Sequence, residues 1–147
     1  MKNIKFLFAI LFMALSYTAF GQTEAQKVEL CSSSAGPDAT YLKDFVVELQ
    51  AAQGNEKAPV AKYSLVLNKD TRYRFTICTD DDSQGRGIIQ LFDSQTLLAS
   101  SFNPTSGKEY KQFDVDIQKT SVYHVFINFH EGKAGKAVVI MSLMKRL

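Results

Sequence analysis

Residues 63–94 read YSLVLNKDTRYRFTICTDDDSQGRGIIQLFDS, and this stretch decides the fold class. Tyr63, Leu65 and Leu67 share one parity before the polar turn Asn68-Lys69-Asp70, and Tyr73, Phe75 and Ile77 share one after it. Arg72, Arg74 and Thr76 fall between the latter, so each run carries a single apolar face, the period-2 signature of half-buried strands. The spacing predicts a β-hairpin over the two runs. An acidic, glycine-bearing loop should then lead into a third strand over residues 88–93.

Upstream, residues 41–50 place Phe45, Val47 and Leu49 on one parity, while Leu42, Phe45, Val46 and Leu49 also fit a helical face; a strand is expected. Residues 51–59 form a loop marked by Gly54-Asn55 and Pro59. Downstream, residues 96–101 make a further strand and Asn103-Pro104-Thr105-Ser106-Gly107 a loop. Residues 110–117 alternate, with Phe113, Val115 and Ile117 facing one way. Residues 121–129 add Val122 and Phe126 to the face opposite Tyr123, Val125, Ile127 and Phe129, as in a strand central in its sheet or buried on both faces. After a turn at residues 130–135, residues 136–144 supply a last strand. About eight short strands with turn chemistry between them, and no convincing helix, predict an all-β antiparallel sandwich, with a partly open barrel as the competing architecture. Residues 22–39, centred on Ser32-Ser33-Ser34-Ala35-Gly36-Pro37, read as an extended N-terminal arm, leaving residues 40–147 as the sandwich domain.

The order Tyr63-x-Leu65-x-Leu67, Tyr73-x-Phe75-x-Ile77, Ile89-x-Leu91-Phe92-Asp93-Ser94 and Leu98-Ala99-Ser100-Ser101 resembles the bacterial pre-peptidase C-terminal domain. Phe113-x-Val115 followed by Lys119-Thr120-Ser121-Val122-Tyr123-His124-Val125 continues the likeness, which spans residues 61–129. Val122 stands where that family usually has glycine before the tyrosine. The resemblance implies a jelly-roll-like sandwich and an accessory role beside exported enzymes, although this chain carries no peptidase of its own.

The chain begins MKNIKFLFAILFMALSYTAFGQ, in which Lys2 and Lys5 precede an apolar run ending in small residues. Residues 1–21 therefore read as a secretory signal peptide cleaved between Gly21 and Gln22, giving a secreted or periplasmic protein with no membrane span. Without Lys2 and Lys5 the seventeen basic residues fall to fifteen, matching the fifteen acidic ones. That balance argues against nucleic acid as a partner.

Cys31 and Cys78 are the two cysteines of an exported chain, so a disulfide between them is expected over two separate thiols. Cys78 shares parity with Arg72, Arg74 and Thr76 and should point away from the main core, where an N-terminal arm can lie across it. Asp80, Asp82 and Gln84 alternate ahead of Gly85 and match the first half of a calcium loop. Leu91 occupies the position of the closing glutamate, so a solvated turn is the favoured reading, calcium the alternative, and no other cofactor is expected. His124 and His130 lie at opposite ends of one strand, too far apart to share a metal by themselves. Tyr41, Phe102 and Tyr110 are candidates for an exposed glycan platform, weakened by the absence of tryptophan. No nucleophile elbow or phosphate loop is present. The expectation is a non-enzymatic binding or accessory module that contacts an exported protein or a surface glycan. The alternatives are an exported hydrolase with an unrecognised site, a glycan-binding module, and an assembly subunit that uses an exposed edge strand.

Overall fold

The computed structural model describes residues 21–147. Apart from Gly21, the leader expected over residues 1–21 lies outside them. Among the described residues ten strands follow one α-helix, with a short 3-10 turn at His130–Gly132: α1 (Glu24–Ser34), β1 (Thr40–Leu49), β2 (Ala61–Leu67), β3 (Thr71–Thr79), β4 (Gly87–Asp93), β5 (Thr96–Ser100), β6 (Phe102–Asn103), β7 (Lys108–Glu109), β8 (Gln112–Ile117), β9 (Ser121–Phe129) and β10 (Gly135–Arg146). Two four-stranded antiparallel sheets result, ordered β1-β10-β3-β8 and β2-β9-β4-β5, with β6 and β7 as a separate two-residue pair. The eight principal strands match the expected number, and the layout is a sandwich, not a barrel.

The strands pair as β1 with β10, β2 with β9, β3 with β8 and β4 with β5. This is one long antiparallel ribbon, closed by the β4–β5 hairpin and wound so that successive strands along each arm switch sheets, which is jelly-roll topology. The predicted hairpin over residues 63–77 is therefore corrected. β2 and β3 lie in opposite sheets and face each other across the core. Their alternation was read correctly, because Leu65, Leu67, Tyr73, Phe75 and Ile77 all point inward. Alternation specifies which face is buried and leaves the pairing partner open. The corner between them is held by other parts of the ribbon. Asp70, in the left-handed region at φ 56°, donates its N–H to Ile117 O at 2.8 Å, and Lys69 N–H donates to Thr120 Oγ1 at 2.9 Å.

The core between the sheets gathers Phe45 and Val47 from β1, Phe75 and Ile77 from β3, Ile89 and Leu91 from β4, Ile117 from β8, and Val125, Ile127 and Phe129 from β9. Burying one such side chain is worth about 1.5–3 kcal/mol. Phe75 and Phe113 stack at 5.6 Å across β3 and β8. Tyr123 Oη donates to Lys119 O at 2.6 Å, four residues back, and fixes the turn from β8 into β9. Gly135 is required where β10 begins, because a Cβ there would stand 2.2 Å from the Phe129 ring.

The N-terminal segment is also corrected: residues 24–34 are an α-helix and not an extended arm. Thr23 and Gln26 form a reciprocal capping box, Gln26 N–H to Thr23 Oγ1 at 3.3 Å and Thr23 N–H to Gln26 Oε1 at 3.0 Å. The missed signal is T-x-x-Q followed by Val28, Cys31 and Ala35 on one helical face. β9 is central in its sheet, as expected. Its second face is only partly covered, since Val122 is 49% exposed. The strand buried on both faces is β10, from Ala137 to Ser142, because α1 lies on its outer side.

Candidate binding surfaces

The outer face of the first sheet presents Val46 from β1, Val138 and Ile140 from β10, and Cys78 from β3. These form a second, smaller apolar cluster with Val28 and Cys31 of α1. The disulfide Cys31–Cys78 joins helix to sheet with its Cα atoms 5.8 Å apart, as the parity of Cys78 predicts. Lys27 Nζ meets Asp80 Oδ2 at 2.5 Å, and this bond raises the Lys27 pKa against the opposing effect of desolvation. At the other end Arg74 Nη1 donates to Ala35 O at 2.8 Å, satisfying a carbonyl at the helix C-terminus. The same guanidinium grips Asp114 in a fork, 2.6 and 2.9 Å, and Arg72 repeats the fork on Asp116 at 2.6 and 2.7 Å. Hydrogen bonding to Arg72 lowers the Asp116 pKa. This sheet is thus closed by a pinned helix and a bidentate Arg–Asp ladder.

Among the described residues the outer face of the second sheet has no such cover. Register places Ser64, His124, Phe92 and Leu97 in one row across β2, β9, β4 and β5. Lys62, Phe126, Gln90 and Ser100 form the row on one side, and Val66 faces Val122 on the other. Phe92 and Phe126 meet diagonally with centroids 4.8 Å apart, and Lys62 Nζ lies 5.0 Å above the Phe126 ring. His124 Nδ1 and Ser64 Oγ are 3.0 Å apart. Val66 is 63% exposed, Val122 49% and Leu97 47%. A monomeric surface seldom gathers so many apolar side chains on a rigid element unless something covers them.

The acidic loop spends its polar groups internally. Asp80 is committed to Lys27, while Ser83 Oγ donates to Lys136 O at 3.0 Å and accepts from Lys136 N–H at 2.9 Å. Gln84 and Gly85 donate their N–H groups to Ala134 O at 3.1 and 3.0 Å. Asp82 and Gln84 are exposed, and among the described residues no three His, Cys, Asp or Glu side chains are placed to share a metal. His124 sits mid-surface on β9. His130 meets Phe102 edge-on at 4.9 Å, so Phe102 is only half-exposed. Tyr41 and Tyr110 are exposed, at 46% and 45%; Tyr41 bonds Asp44, and Lys108 lies 5.4 Å from the Tyr110 ring.

No protein-family profile and no curated protein matches the chain by sequence. In structure it is similar to PliG of Aeromonas hydrophila, a periplasmic lysozyme inhibitor of g-type lysozyme. The TM-score is 0.53 and the identity 7%, covering 71% of this chain and 87% of that one. It is also similar to the pre-peptidase C-terminal domain of a collagenase from Bacillus anthracis, a domain of the family that the strand order resembles. There the TM-score is 0.47 and the identity 10%, over 69% of this chain and 89% of that one. The likeness to PliG establishes a shared fold. Among the described residues no helix is long and apolar enough to cross a membrane.

Proposed function

We propose that the chain is a non-enzymatic, extracytoplasmic module that binds another exported protein across the outer face of the second sheet. The observation that carries this reading is the exposure of Val66, Leu97 and Val122 beside the paired rings of Phe92 and Phe126. The equivalent apolar face of the first sheet is sealed by α1. Rigid aromatic and aliphatic anchors framed by Lys62, His124 and Gln90 have the composition of a binding patch with a polar rim. The Cys31–Cys78 disulfide fits an oxidising compartment. The PliG fold supports a protein partner, since that neighbour is described as an inhibitor of g-type lysozyme, and exported wall-degrading hydrolases are the partners to test first.

A photo-crosslinking side chain at Val122 or Leu97 is expected to capture one defined exported protein in envelope extracts, and the same group at Glu48 on β1 is expected to capture none. Equal capture from both positions, or none from either, contradicts the proposal. Turnover of envelope substrates by the purified protein would instead establish the hydrolase alternative.

A further inference from the structure

β8 leaves β3 before β3 ends. The two strands pair from Thr71–Ile117 to Thr76–Gln112, and one more bond, Ile77 N–H to Lys111 O at 2.9 Å, closes the ladder. At Tyr110 the chain turns toward the other sheet, where its N–H donates to Ser101 O at 2.7 Å. β3 continues to Thr79. In an antiparallel ladder a residue points its N–H and C=O to the same neighbour, and successive residues alternate. Ile77 faces β8, and Asp80 N–H bonds Lys136 O at 2.8 Å on the β10 side. The N–H and C=O of Thr79 consequently face the side that β8 has vacated. A cleft of about 460 Å³ opens there, floored by Ile77 and Thr79 and walled by Asp81, Arg86, Tyr110 and Lys111.

We infer that this cleft takes an extended segment of another polypeptide, which adds to β3 where β8 stops. Backbone groups at a strand edge are the natural template for such addition, and the volume is that of a ligand pocket. Arg86 is already matched by Glu109 at 3.4 Å, whereas Asp81 and Lys111 form no ion pair among the described residues. The cleft therefore suits a segment carrying one cationic and one anionic side chain, with an apolar side chain against Tyr110. An acetamido sugar offers the same amide without the charges. The cleft lies at the edge of the first sheet, so the inference stands or falls independently of the docking face proposed above.

The test is an NMR titration of the oxidised mature protein with the blocked peptide acetyl-Lys-Thr-Val-Thr-Val-Glu-amide, with chitotriose in a parallel arm. The expected result is saturable movement of the Thr79, Asp81 and Lys111 amides by the peptide alone, with Thr79 amide exchange slowed about tenfold at a peptide concentration near ten times Kd. Tyr110→Ala/Lys111→Ala, which alters two exposed side chains, should weaken binding at least about tenfold, equivalent to about 1.4 kcal/mol. Four results overturn the inference: no movement at millimolar peptide, movement centred on β2 or β5, equal binding by the double variant, or a response to chitotriose without one to peptide.

Discussion

The two outer faces of this sandwich are built alike and finished differently. Both carry apolar side chains on their central strands, Val138 and Ile140 on β10 and Val122 with Phe126 on β9. On β10 they are 2% and 0% exposed because α1 covers them, whereas Val122 is half exposed. One chain thus shows what a jelly-roll face looks like when its partner is built in, and a second face of similar chemistry that no element among the described residues covers. Apolar area is roughly additive in burial energy wherever it lies. The difference lies in the occupant.

The helix should be the more fragile half of that contrast. At eleven residues it is below the length at which helices persist alone in water, so it depends on its crosslink and on the strip of Val28, Cys31 and Ala35. Cys31→Ser/Cys78→Ser should lower unfolding stability by about 4 kcal/mol on the chain-entropy model. In hydrogen exchange, protection should disappear first over residues 24–35. A uniform loss across both sheets would contradict the latch picture. Ile140→Ala beneath the helix should cost about 3 kcal/mol in denaturant unfolding. Val66→Thr or Val122→Thr on the uncovered face should stay within about 0.5 kcal/mol. Comparable losses on the two faces would mean that the second is covered by something within the chain itself.

Acid should act on the ladder beside the helix. The Asp116 pKa is lowered by its bond to Arg72, so the folded state binds its proton later than the unfolded chain does. The stability from this pair is complete above the unfolded value of about 3.8 and is lost as pH falls through the lower folded value. Asp116→Asn should lower stability slightly near neutrality and flatten the profile below about pH 4, so that variant and wild type converge in acid, as followed by urea unfolding at several pH values. The smallest effect is expected at the acidic loop. With Asp80 held by Lys27, millimolar calcium against chelator should leave the melting midpoint unmoved, whereas a rise abolished by Asp82→Asn would restore the calcium expectation.

Faces were legible in the sequence and pairings were not. The parity of residues 63–77 identified Leu65, Leu67, Tyr73, Phe75 and Ile77 as inward side chains of β2 and β3, and the parity of Cys78 placed it on the outside with Cys31. The hairpin reading failed because a short polar corner serves equally for a turn within a sheet and for a crossover between sheets; only the distant partners of β2 and β3, β9 and β8, distinguish them. The helix was missed because its apolar strip is narrow and its serines resemble a linker, although Thr23 and Gln26 announce its start. The docking face was half visible in Val122 and Phe126, which break the alternation of β9. Its other half required the register that brings Phe92, Leu97 and Val66 beside them.

The central claim is that this uncovered face holds a protein partner, and the most direct measurement is the affinity of the crosslinked partner for wild type and for Val66→Ser/Leu97→Ser/Val122→Ser. Anchors at the centre of an interface carry most of its binding energy. The triple variant is expected to lose at least about a hundredfold in Kd, or about 2.7 kcal/mol, while keeping the wild-type melting midpoint. An unchanged Kd in a folded triple variant would contradict the account.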